Sequence, residues 1–334
     1  MATLSSPAGI DLLDRKILSA LDKNCRASNT QIAKKIRKSR EVVAYRIQKL
    51  QEQGIITGFI TSINPAKLGY LMFKIYLKLE NIPLQRERFY HALQRNKDIY
   101  WMSTCDGAYD CVLAILSKSV PEYYELINNL LSEWKPLIIN RVLGTMVDTK
   151  QFTKRYFLSD GEGTYVIFGS RIENNEIDEL DSKILSTLAN NARIPLLELA
   201  RTLHSTIEVV RRRIAILEKK EMILQYRLAI DLNKLGLEFF KVFLYCKSLS
   251  KSDEASLLEW MRRHPKSLYY IRSLAPWELE FEFAVENYHE FNKIMSDLRE
   301  QFPHIIRNHE HLIMSSEMWM PAYTQLLSGK KWKK

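Results

Sequence analysis

The sequence predicts an α+β protein that arose by tandem duplication, and two observations carry that prediction. The first is a repeat: the segment LDRKILSALDKNCR, which begins at Leu13, returns from Leu180 as LDSKILSTLANNAR, at a constant offset of 167 residues. The register holds without a gap as far as NPAKLGY from Asn64 and DLNKLGL from Asp231. The second is a change of hydrophobic period within each copy, from helical spacing to strand alternation. Together they indicate two copies of one unit with the same order of elements.

The first part of each copy is predicted to form three helices. In copy one the first helix covers roughly Leu12–Asp22, and the second begins at Ser28, where Gln31 completes a capping box. Ser39 is the predicted N-cap of the third helix, and Gly54 is the C′ residue that ends it. In this third helix, SREVVAYRIQKL, apolar residues recur at i, i+4 and i+7, which gives the helix one buried face.

Copy two repeats this layout, and its third helix reads TIEVVRRRIAIL. Pro195 is predicted at N1 of the second helix and Thr206 at the N-cap of the third. A short β run follows the helices in each copy, Ile56–Ile63 and Ile223–Ile230. Three helices with a tight turn between the second and third, followed by a β wing, predict a winged helix-turn-helix domain.

The second part of each copy has the period of a strand. Leu71–Leu79 alternates apolar residues with Lys74, Tyr76 and Lys78, and Phe239–Lys247 repeats the pattern. In copy one the next predicted elements are a helix at Leu84–Gln94, a strand pair at Ile99–Thr104 and Cys111–Leu116, a helix at Val120–Trp134 and a closing strand at Leu137–Val147. In copy two they are a helix at Asp253–Arg263, a strand pair at Leu268–Leu274 and Leu279–Val285, a helix at Tyr288–Phe302 and a closing strand at Ile305–Ser315. The order βαββαβ is that of a ferredoxin-like domain.

The predicted domain boundaries follow from this order of elements. They are residues 1–64 and 177–231 for the two helix-turn-helix domains, 65–158 and 232–325 for the two ferredoxin-like domains, 159–176 for a linker, and 326–334 for a basic tail. The linker holds three glycines and several charges, and its Tyr165–Phe168 is predicted to be able to add an edge strand. The two ferredoxin-like domains are free to pair within one chain or between chains, because the duplication is compatible with both.

Composition narrows the class of protein. The chain of 334 residues carries a net charge of +10 and a pI near 9.2, which favours an anionic partner. It holds no apolar run long enough for a membrane span and no secretory signal, so a cytoplasmic location is expected. The four cysteines lack CxxC spacing and are expected to be free thiols.

The sequence resembles the Lrp/AsnC (leucine-responsive regulatory protein) family of transcription regulators. The resemblance is carried by the LDxKIL opening, by S-x-x-V-V-x-x-R-I-x-x-L in the third helix of copy one, and by the GII and N-x-x-KLGY that follow. It covers nearly the whole chain twice, as in tandem members of the family in archaea. The resemblance implies sequence-specific binding of double-stranded DNA by the helix-turn-helix domains. It also implies ferredoxin-like domains of the RAM type, which mediate assembly and often bind an amino acid.

The third helices are the predicted recognition helices. With the face of Val43 turned inward, Glu41, Tyr45 and Gln48 are expected to point outward. The candidate DNA-binding residues are Lys34, Lys35, Lys38, Ser39, Arg40, Glu41, Ala44, Tyr45, Arg46, Gln48 and Lys49 in copy one, and Thr206, Glu208, Arg211, Arg212 and Arg213 in copy two. The alternative is that the acidic residues only favour the positive end of the helix and the basic ones are solvated. Because the two outward sets differ, two unlike half-sites are expected.

A Gly-x-Tyr/Trp-Asp element marks the effector loop in the family that the sequence resembles. Copy one has this element at Gly107, Tyr109 and Asp110, whereas copy two departs from it, with Trp277 and Glu278 after Ala-Pro. These five residues are the candidate effector-binding residues. The alternative for copy one is plain turn chemistry, since Asp-Gly is a good hairpin dipeptide.

Two other functions remain open from the residues. A siroheme-decarboxylase-like enzyme shares the layout, but the central strands IYWMSTCDGAYDCVLAI and LYYIRSLAPWELEFEF lack the His-Asn-Tyr-x-Arg and Asn-x-Trp-Phe elements of that family. The protein is therefore predicted not to be an enzyme. The other alternative is an effector-sensing or interaction protein with degenerate DNA-binding domains. His304, His309 and His311 lack a completing ligand, so neither a metal nor a cofactor is expected.

Overall fold

The computed structural model describes residues 9–159 and 163–319, and the predicted elements occur there in the predicted order. The two helix-turn-helix parts consist of α1 (Leu12–Lys23), α2 (Asn29–Ile36), α3 (Arg40–Glu52) and β1 (Ile56–Ile63), and of α6 (Glu179–Asn190), α7 (Leu196–Thr202), α8 (Ile207–Lys219) and β7 (Ile223–Ile230).

The two ferredoxin-like parts follow in the same order, with one added strand. They consist of β2 (Leu71–Leu79), α4 (Pro83–Arg95), β3 (Ile99–Gly107), β4 (Cys111–Ser117), α5 (Val120–Leu131), β5 (Ile138–Phe152) and the added β6 (Tyr165–Gly169), and of β8 (Glu238–Cys246), α9 (Lys251–Arg263), β9 (Ser267–Leu274), β10 (Leu279–Val285), α10 (Tyr288–Gln301) and β11 (Ile306–Trp319).

The helix ends have the capping chemistry that the sequence predicts, with one exception. Ser28 and Gln31 form the capping box of α2, and the Ser39 hydroxyl accepts from the Val42 N–H at the start of α3. Gly54, just after α3, has a φ of 67°, which suits a glycine. The prediction for Pro195 was wrong by one position. Its extended backbone makes it the N-cap of α7, so the helix begins one residue later.

The strand that follows each set of three helices pairs with its counterpart in the other copy. β1 and β7 run antiparallel as a two-stranded sheet, in which Phe59 faces Leu228 and Thr61 faces Tyr226. The predicted β wing therefore exists as a strand, and its partner lies in the other copy. The α1 and α6 helices cross over in the same way, since α6 contacts β1 and α1 contacts β7.

The strands of the two ferredoxin-like parts join into a closed sheet in the order β2-β4-β3-β11-β8-β10-β9-β5, and β5 pairs again with β2. Two long strands, β5 and β11, each pair with strands of both copies. The first half of β5 pairs with β2 and its second half with β9, while β11 pairs with β8 and then with β3. β5 thus runs past the predicted end at Val147, because the other copy supplies a partner. Of the two arrangements that the sequence allows, the structure has the pairing within one chain.

The linker supplies the edge strand expected of it. β6 covers Tyr165–Gly169 and pairs with the second half of β5, so that Asp148 lies opposite Gly169. The segment before it packs back onto the first helix-turn-helix part, where Phe157 is buried and the Lys154 ammonium lies 2.6 Å from the Asp22 carboxylate. The predicted basic tail, 326–334, lies outside the described residues.

The apolar residues divide into helix-facing and interior cores. The outer face of the closed sheet packs on α4 and α5 in copy one and on α9 and α10 in copy two. Its inner face forms a second core, which continues into the second helix-turn-helix part. All four cysteines are buried and unpaired, as predicted. In the part of the chain that the structure describes, every helix is too short or too polar to traverse a bilayer.

Candidate nucleic-acid interface

The outer face of α3 carries the side chains that the sequence predicts for it. Of the candidates in copy one, the exposed residues are Lys34, Lys35, Lys38, Ser39, Arg40, Glu41, Tyr45, Gln48 and Lys49, and Ala44 is partly exposed. Tyr45 is the largest of them, with 63% of its surface exposed. The opposite face buries Val43, Ile47 and Leu50 in the core of the domain. The helix therefore presents a polar surface of mixed charge, with the cations Lys34, Lys35 and Lys38 just before it.

The turn before α3 concentrates positive charge. Lys34 and Lys35 lie in the last turn of α2, Arg37 follows in the left-handed conformation with a φ of 56°, and Lys38 leads into α3. The equivalent turn of copy two holds Arg201, Thr202, His204 and Ser205, and so has fewer cations.

The outer face of α8 is basic within the helix itself. Thr206, Glu208, Arg211 and Arg212 are exposed, as predicted. Ile207 is partly buried and packs against the interior core, whereas Ile216 is 40% exposed and adds an apolar side chain to the outer face beside Ala215. Copy one thus carries most of its cations before α3, and copy two carries most of them on α8.

Two of the candidate arginines are held by carboxylates of their own domain. Arg46 Nη1 lies 2.9 Å from Asp11 and 3.1 Å from Asp14, at the start of α1. Arg213 is equivalent to it and contacts Asp178 at 2.7 Å and Asp181 at 3.3 Å. Both arginines therefore fix the angle between the first and third helices.

The two helix-turn-helix parts are joined to each other through equivalent contacts. The Cys25 N–H donates to the Tyr226 carbonyl at 3.0 Å, and the Ala192 N–H donates to the Phe59 carbonyl at 2.9 Å. Burial raises the pKa of the Cys25 thiol to about 12, so this residue is an inert neutral group at the junction.

Two arginines reinforce this junction. Arg26 Nη1 donates to the Ala192 carbonyl at 2.6 Å, and Arg193 Nη1 donates to the Cys25 carbonyl at 2.5 Å. Arg193 also donates to the Ala27 carbonyl at 3.0 Å and to Asn29 Oδ1 at 2.9 Å. The sequence alignment pairs Arg26 with Arg193 but gives no sign of this role, because the partner atoms are backbone carbonyls of the other copy.

The candidate effector residues lie in the loops that join β3 to β4 and β9 to β10, beside the end of the first strand of each ferredoxin-like part. The Asp110 carboxylate accepts from the Leu79 N–H at 2.9 Å, and Glu278 accepts from the Cys246 N–H at 2.8 Å. Gly107 has a φ of 129°, and a Cβ there would lie 2.9 Å from the carbonyl oxygen of His311. The acidic residue of this loop therefore has a structural role in both copies.

The aromatic members of these two loops meet inside the closed sheet. Trp277 is 1% exposed and stacks on Phe243 with ring centroids 4.0 Å apart. Tyr109 lies 5.6 Å from the ring of Tyr76 and 6.3 Å from that of Trp277. The structure thus brings Tyr109 and Trp277 together from the two copies, whereas their acidic neighbours stay at the two strand ends.

A buried cluster of four charged residues, which the sequence analysis did not identify, lies on the inner face of the closed sheet. This charge cluster consists of Lys74, Lys241, Glu280 and Glu282. Lys74 Nζ lies 2.7 Å from Glu280, and Lys241 Nζ lies 3.0 Å from Glu280 and also contacts Glu282. Burial alone would raise the pKa of Glu280, but the two ammonium groups outweigh it and hold that pKa well below its usual range. The sequence does show one sign of this cluster, because Lys74 and Lys241 occupy equivalent positions in two largely apolar strands.

A cavity of about 100 Å³ adjoins the charge cluster, between the inner face of the closed sheet and the paired strands β1 and β7. Lys74, Lys241 and Glu282 contribute to its lining, together with Arg227 from β7. The histidines near the C-terminal strand lie elsewhere. The ring centroids of His309 and His311 are 6.4 Å apart, and the described residues hold no cluster of three ligating side chains.

Comparison with known proteins supports the helix-turn-helix assignment. A family model described as winged helix-turn-helix DNA-binding matches residues 10–57, and one described as an AsnC-type helix-turn-helix domain matches 177–218. The chain is 32% identical over 126 residues to the proline dehydrogenase transcriptional activator of Rhodobacter capsulatus, which covers 37% of this chain and 81% of that relative. It is 35% identical over 111 residues to the HTH-type transcriptional regulator Ptr1 of Methanocaldococcus jannaschii, which covers 33% of this chain and 74% of that relative.

One solved structure resembles the chain over both copies. The siroheme decarboxylase NirDL superposes on 95% of this chain and 97% of its own, with a TM-score of 0.62 and 10% sequence identity. At that identity the likeness concerns the fold, and it agrees with the arrangement of two helix-turn-helix parts on one closed sheet.

Proposed function

Because the chain belongs to the Lrp/AsnC family of DNA-binding transcription regulators, we propose that its two helix-turn-helix domains bind two unlike half-sites of one operator. The observation that carries the proposal is the junction between the domains, where Arg26 and Arg193 donate to backbone carbonyls across the boundary. Joined domains with different outer faces require a DNA site whose two halves differ. In a symmetric homodimer the two faces would be identical, and the site would be a palindrome.

We propose that α3 reads bases with side chains on its exposed outer face. Arg40 suits the O6 and N7 acceptors of guanine, Glu41 suits the N4 donor of cytosine, and Gln48 suits adenine. Lys34, Lys35 and Lys38 supply contacts to phosphates, which add affinity without sequence information. Ser39, Ala44, Tyr45 and Lys49 complete the proposed surface. Arg46 acts in it by positioning the helix, because its guanidinium is engaged by Asp11 and Asp14.

In α8 we assign the main contacts to Arg211 and Arg212, which are exposed on the outer face. Thr206 and Glu208 lie at the start of the helix, where a hydroxyl and a carboxylate also suit its positive end. Arg213 takes the positioning role of Arg46. Since arginine favours guanine, the half-site bound by α8 is expected to be richer in guanine than the other.

The proposed division of the chain keeps the boundaries set by the pattern of elements. The helix-turn-helix domains are 1–64 and 177–231, the ferredoxin-like domains are 65–158 and 232–325, and 159–176 links them, with 326–334 as a basic tail. A DNA-binding regulator acts where the DNA is, and we propose the cytoplasm.

The experiment is selection of bound fragments from a random DNA library with the full chain, followed by affinity measurements over a range of salt concentrations. Two double variants are compared with wild type, Arg40→Ala/Tyr45→Ala and Arg211→Ala/Arg212→Ala. Lys97→Ala, an exposed substitution in the loop between α4 and β3, is the matched control. Enrichment of an asymmetric site supports the proposal when each double variant loses affinity for one half. Each lost phosphate contact should reduce the salt slope by about one.

Other outcomes of this selection separate the alternatives. An enriched perfect palindrome would contradict two unlike half-sites. Loss of affinity in the first double variant alone would leave the second domain as a scaffold. No enrichment and no salt-dependent binding would favour a sensing or interaction protein whose DNA-binding domains are degenerate.

For the effector we propose the loops at Gly107, Tyr109 and Asp110 and at Trp277 and Glu278, with an amino acid as the first class of ligand to test. The test is calorimetry with the twenty amino acids, on wild type and on Tyr109→Ala. Heat that disappears in this variant supports the loops as the effector site. Unchanged heat places any binding elsewhere.

The fold likeness to a siroheme decarboxylase makes an enzyme the second candidate, and we propose that the chain is not one. The cavity beside the charge cluster has a volume of about 100 Å³, which is smaller than the roughly 150 Å³ of a cavity that admits one benzene ring. A tetrapyrrole contains four linked rings and is therefore too large for this cavity. Titration of the full chain with siroheme, followed by its absorbance and by release of carbon dioxide, tests this. Stoichiometric binding with carbon dioxide release would establish the enzyme.

A further inference from the structure

The cavity beside the charge cluster is built from both copies and from both kinds of domain. Lys74 and Ala114 come from the first ferredoxin-like part and Lys241 from the second, while Ser62 and Arg227 come from β1 and β7. The space is therefore created by the closure of the sheet and by the pairing of the two copies. Packing alone does not account for charged groups in its lining, since buried charges are costly unless they are paired.

The lining of the cavity is positively charged. Three cations, Lys74, Lys241 and Arg227, line it, and the one carboxylate in the lining is Glu282, with Glu280 directly behind. Among the described residues, the Lys74 ammonium makes one hydrogen bond, to Glu280, although it has three N–H donors. Burial lowers the pKa of Lys74, and a second anion near it would counter that effect.

The rest of the lining is apolar and aromatic. Met72, Met146 and Ile271 form one part of it, and Tyr100 and Trp101 another. At about 100 Å³ the cavity is smaller than one that holds benzene, roughly 150 Å³. The ligand that fits is therefore short, with one anionic end and an apolar body of a few carbons.

The charges favour a monoanion over a zwitterion. An amino acid would need an acceptor for its ammonium group, and the one carboxylate of the lining, Glu282, is engaged by Lys241. We propose that this cavity binds a small organic monocarboxylate of about four carbons, with its carboxylate on Lys74 and its alkyl chain among Met72, Met146 and Ile271. Tyr109 and Trp277 do not line this cavity, although the Trp277 indole N–H donates to Glu280 at 3.3 Å. The proposal does not depend on DNA binding.

The experiment uses the full chain and three probes of nearly equal size. Butanoate, its neutral amide butanamide, and L-2-aminobutanoate are titrated by calorimetry. We expect one butanoate per chain and at least tenfold weaker binding of the other two. No saturable binding of butanoate overturns the proposal. Equal or tighter binding of the amide or the amino acid overturns the assignment of a monocarboxylate.

The position of the probe is tested in wild type with carbon-13-labelled methionine methyl groups. Butanoate should shift the methyl resonances of Met72 and Met146 and leave unchanged that of Met261, which lies on the buried face of α9 in a different core. Shifts confined to other methionines contradict the assigned cavity. This measurement needs no variant and is independent of any effect on folding.

Two variants then test the chemistry and the space separately. Lys74→Met should weaken butanoate at least tenfold by removing the cation, and Ala114→Leu should do so by filling the cavity while every charge remains. Lys97→Met, an exposed lysine on the same domain, is the control and should bind as wild type does. Butanoate binding that survives Ala114→Leu in a folded protein overturns the proposal.

Discussion

Arg26 and Arg193 occupy equivalent positions of the two copies and cross the boundary between the helix-turn-helix domains in opposite directions. Arg26 donates to the Ala192 carbonyl and lies 5.2 Å from the ring of Tyr226, while Arg193 donates to the Cys25 carbonyl and lies 5.2 Å from the ring of Phe59. Each guanidinium combines a hydrogen bond with a cation–π contact. The two domains are therefore one structural unit.

Arg193→Ala should loosen this unit. The substitution leaves the carbonyls of Cys25 and Ala27 without their arginine donor, and we expect it to lower the free energy of unfolding by about 2 to 3 kcal/mol. Arg26→Ala, which removes one hydrogen bond, should cost less. Urea denaturation measures both. Arg201→Ala, an exposed substitution on α7, is the control, and an equal loss there would contradict the role of the junction.

Arg46 and Arg40 should differ in their effect on DNA binding. Arg46 contacts Asp11 and Asp14, so Arg46→Ala is expected to lower stability and leave the salt slope of DNA affinity nearly unchanged. Arg40 is exposed and proposed to read guanine, so Arg40→Ala should weaken binding of the operator by about 1 to 3 kcal/mol and relax specificity at one base pair, with little change in stability. Affinity measurements on the selected operator and its single-base variants, over a range of salt concentrations, test this. The opposite pattern would make Arg46 a direct DNA contact.

The two lysines of the charge cluster should differ in their effect on stability. Lys241→Met removes the lysine partner of Glu282 and one of the two lysine partners of Glu280, and breaking a buried pair in this way costs about 3 to 5 kcal/mol. Lys74→Met should cost less, because Glu280 keeps Lys241. Urea denaturation at pH 7 and at pH 5 checks the order. The loss of unfolding free energy in Lys241→Met should be smaller at pH 5, because protonation removes the charge of a buried carboxylate that has lost its lysine.

His264 should make the folded protein less stable as the pH is lowered. Burial lowers its pKa from 6.5 to about 4, against the attraction of Glu290 and Asp297. Between these two values the unfolded chain binds a proton that the folded protein does not, so stability falls as pH drops from 6.5 towards 4. Melting temperatures across this range test it. His264→Gln should remove part of the slope, whereas the exposed control His289→Gln should not.

The helical part of the fold follows closely from local chemistry. The caps at Ser28, Ser39 and Thr206 lie within a few residues of the groups they bond, so the sequence shows both partners. The outer faces of α3 and α8 follow from the spacing of buried residues such as Val43 and Val210. Pro195 was misplaced by one residue because its backbone is extended, which the residue type alone does not reveal.

The positions of the strands were easier to predict from the sequence than the strands with which they pair. The pattern of Leu71–Leu79 predicts a strand with an apolar face, and it leaves Lys74 on the other face. That face is also interior, because the second copy closes the sheet over it. The predicted end of β5 was too early for the same reason, since its last residues pair with β9.

The sequence by itself determined the duplication, which the repeat shows directly, and the order of elements, the capped helices and the exposed faces of α3 and α8, which depend on residues close together in the chain. Only the tertiary structure decided that β1 pairs with β7, that Arg26 and Arg193 join the two domains, and that Lys74 shares Glu280 with Lys241. These contacts join residues from 39 to 206 positions apart. Their formation depends on how the two copies pack, and a periodic pattern in one segment carries no information about its partner in another.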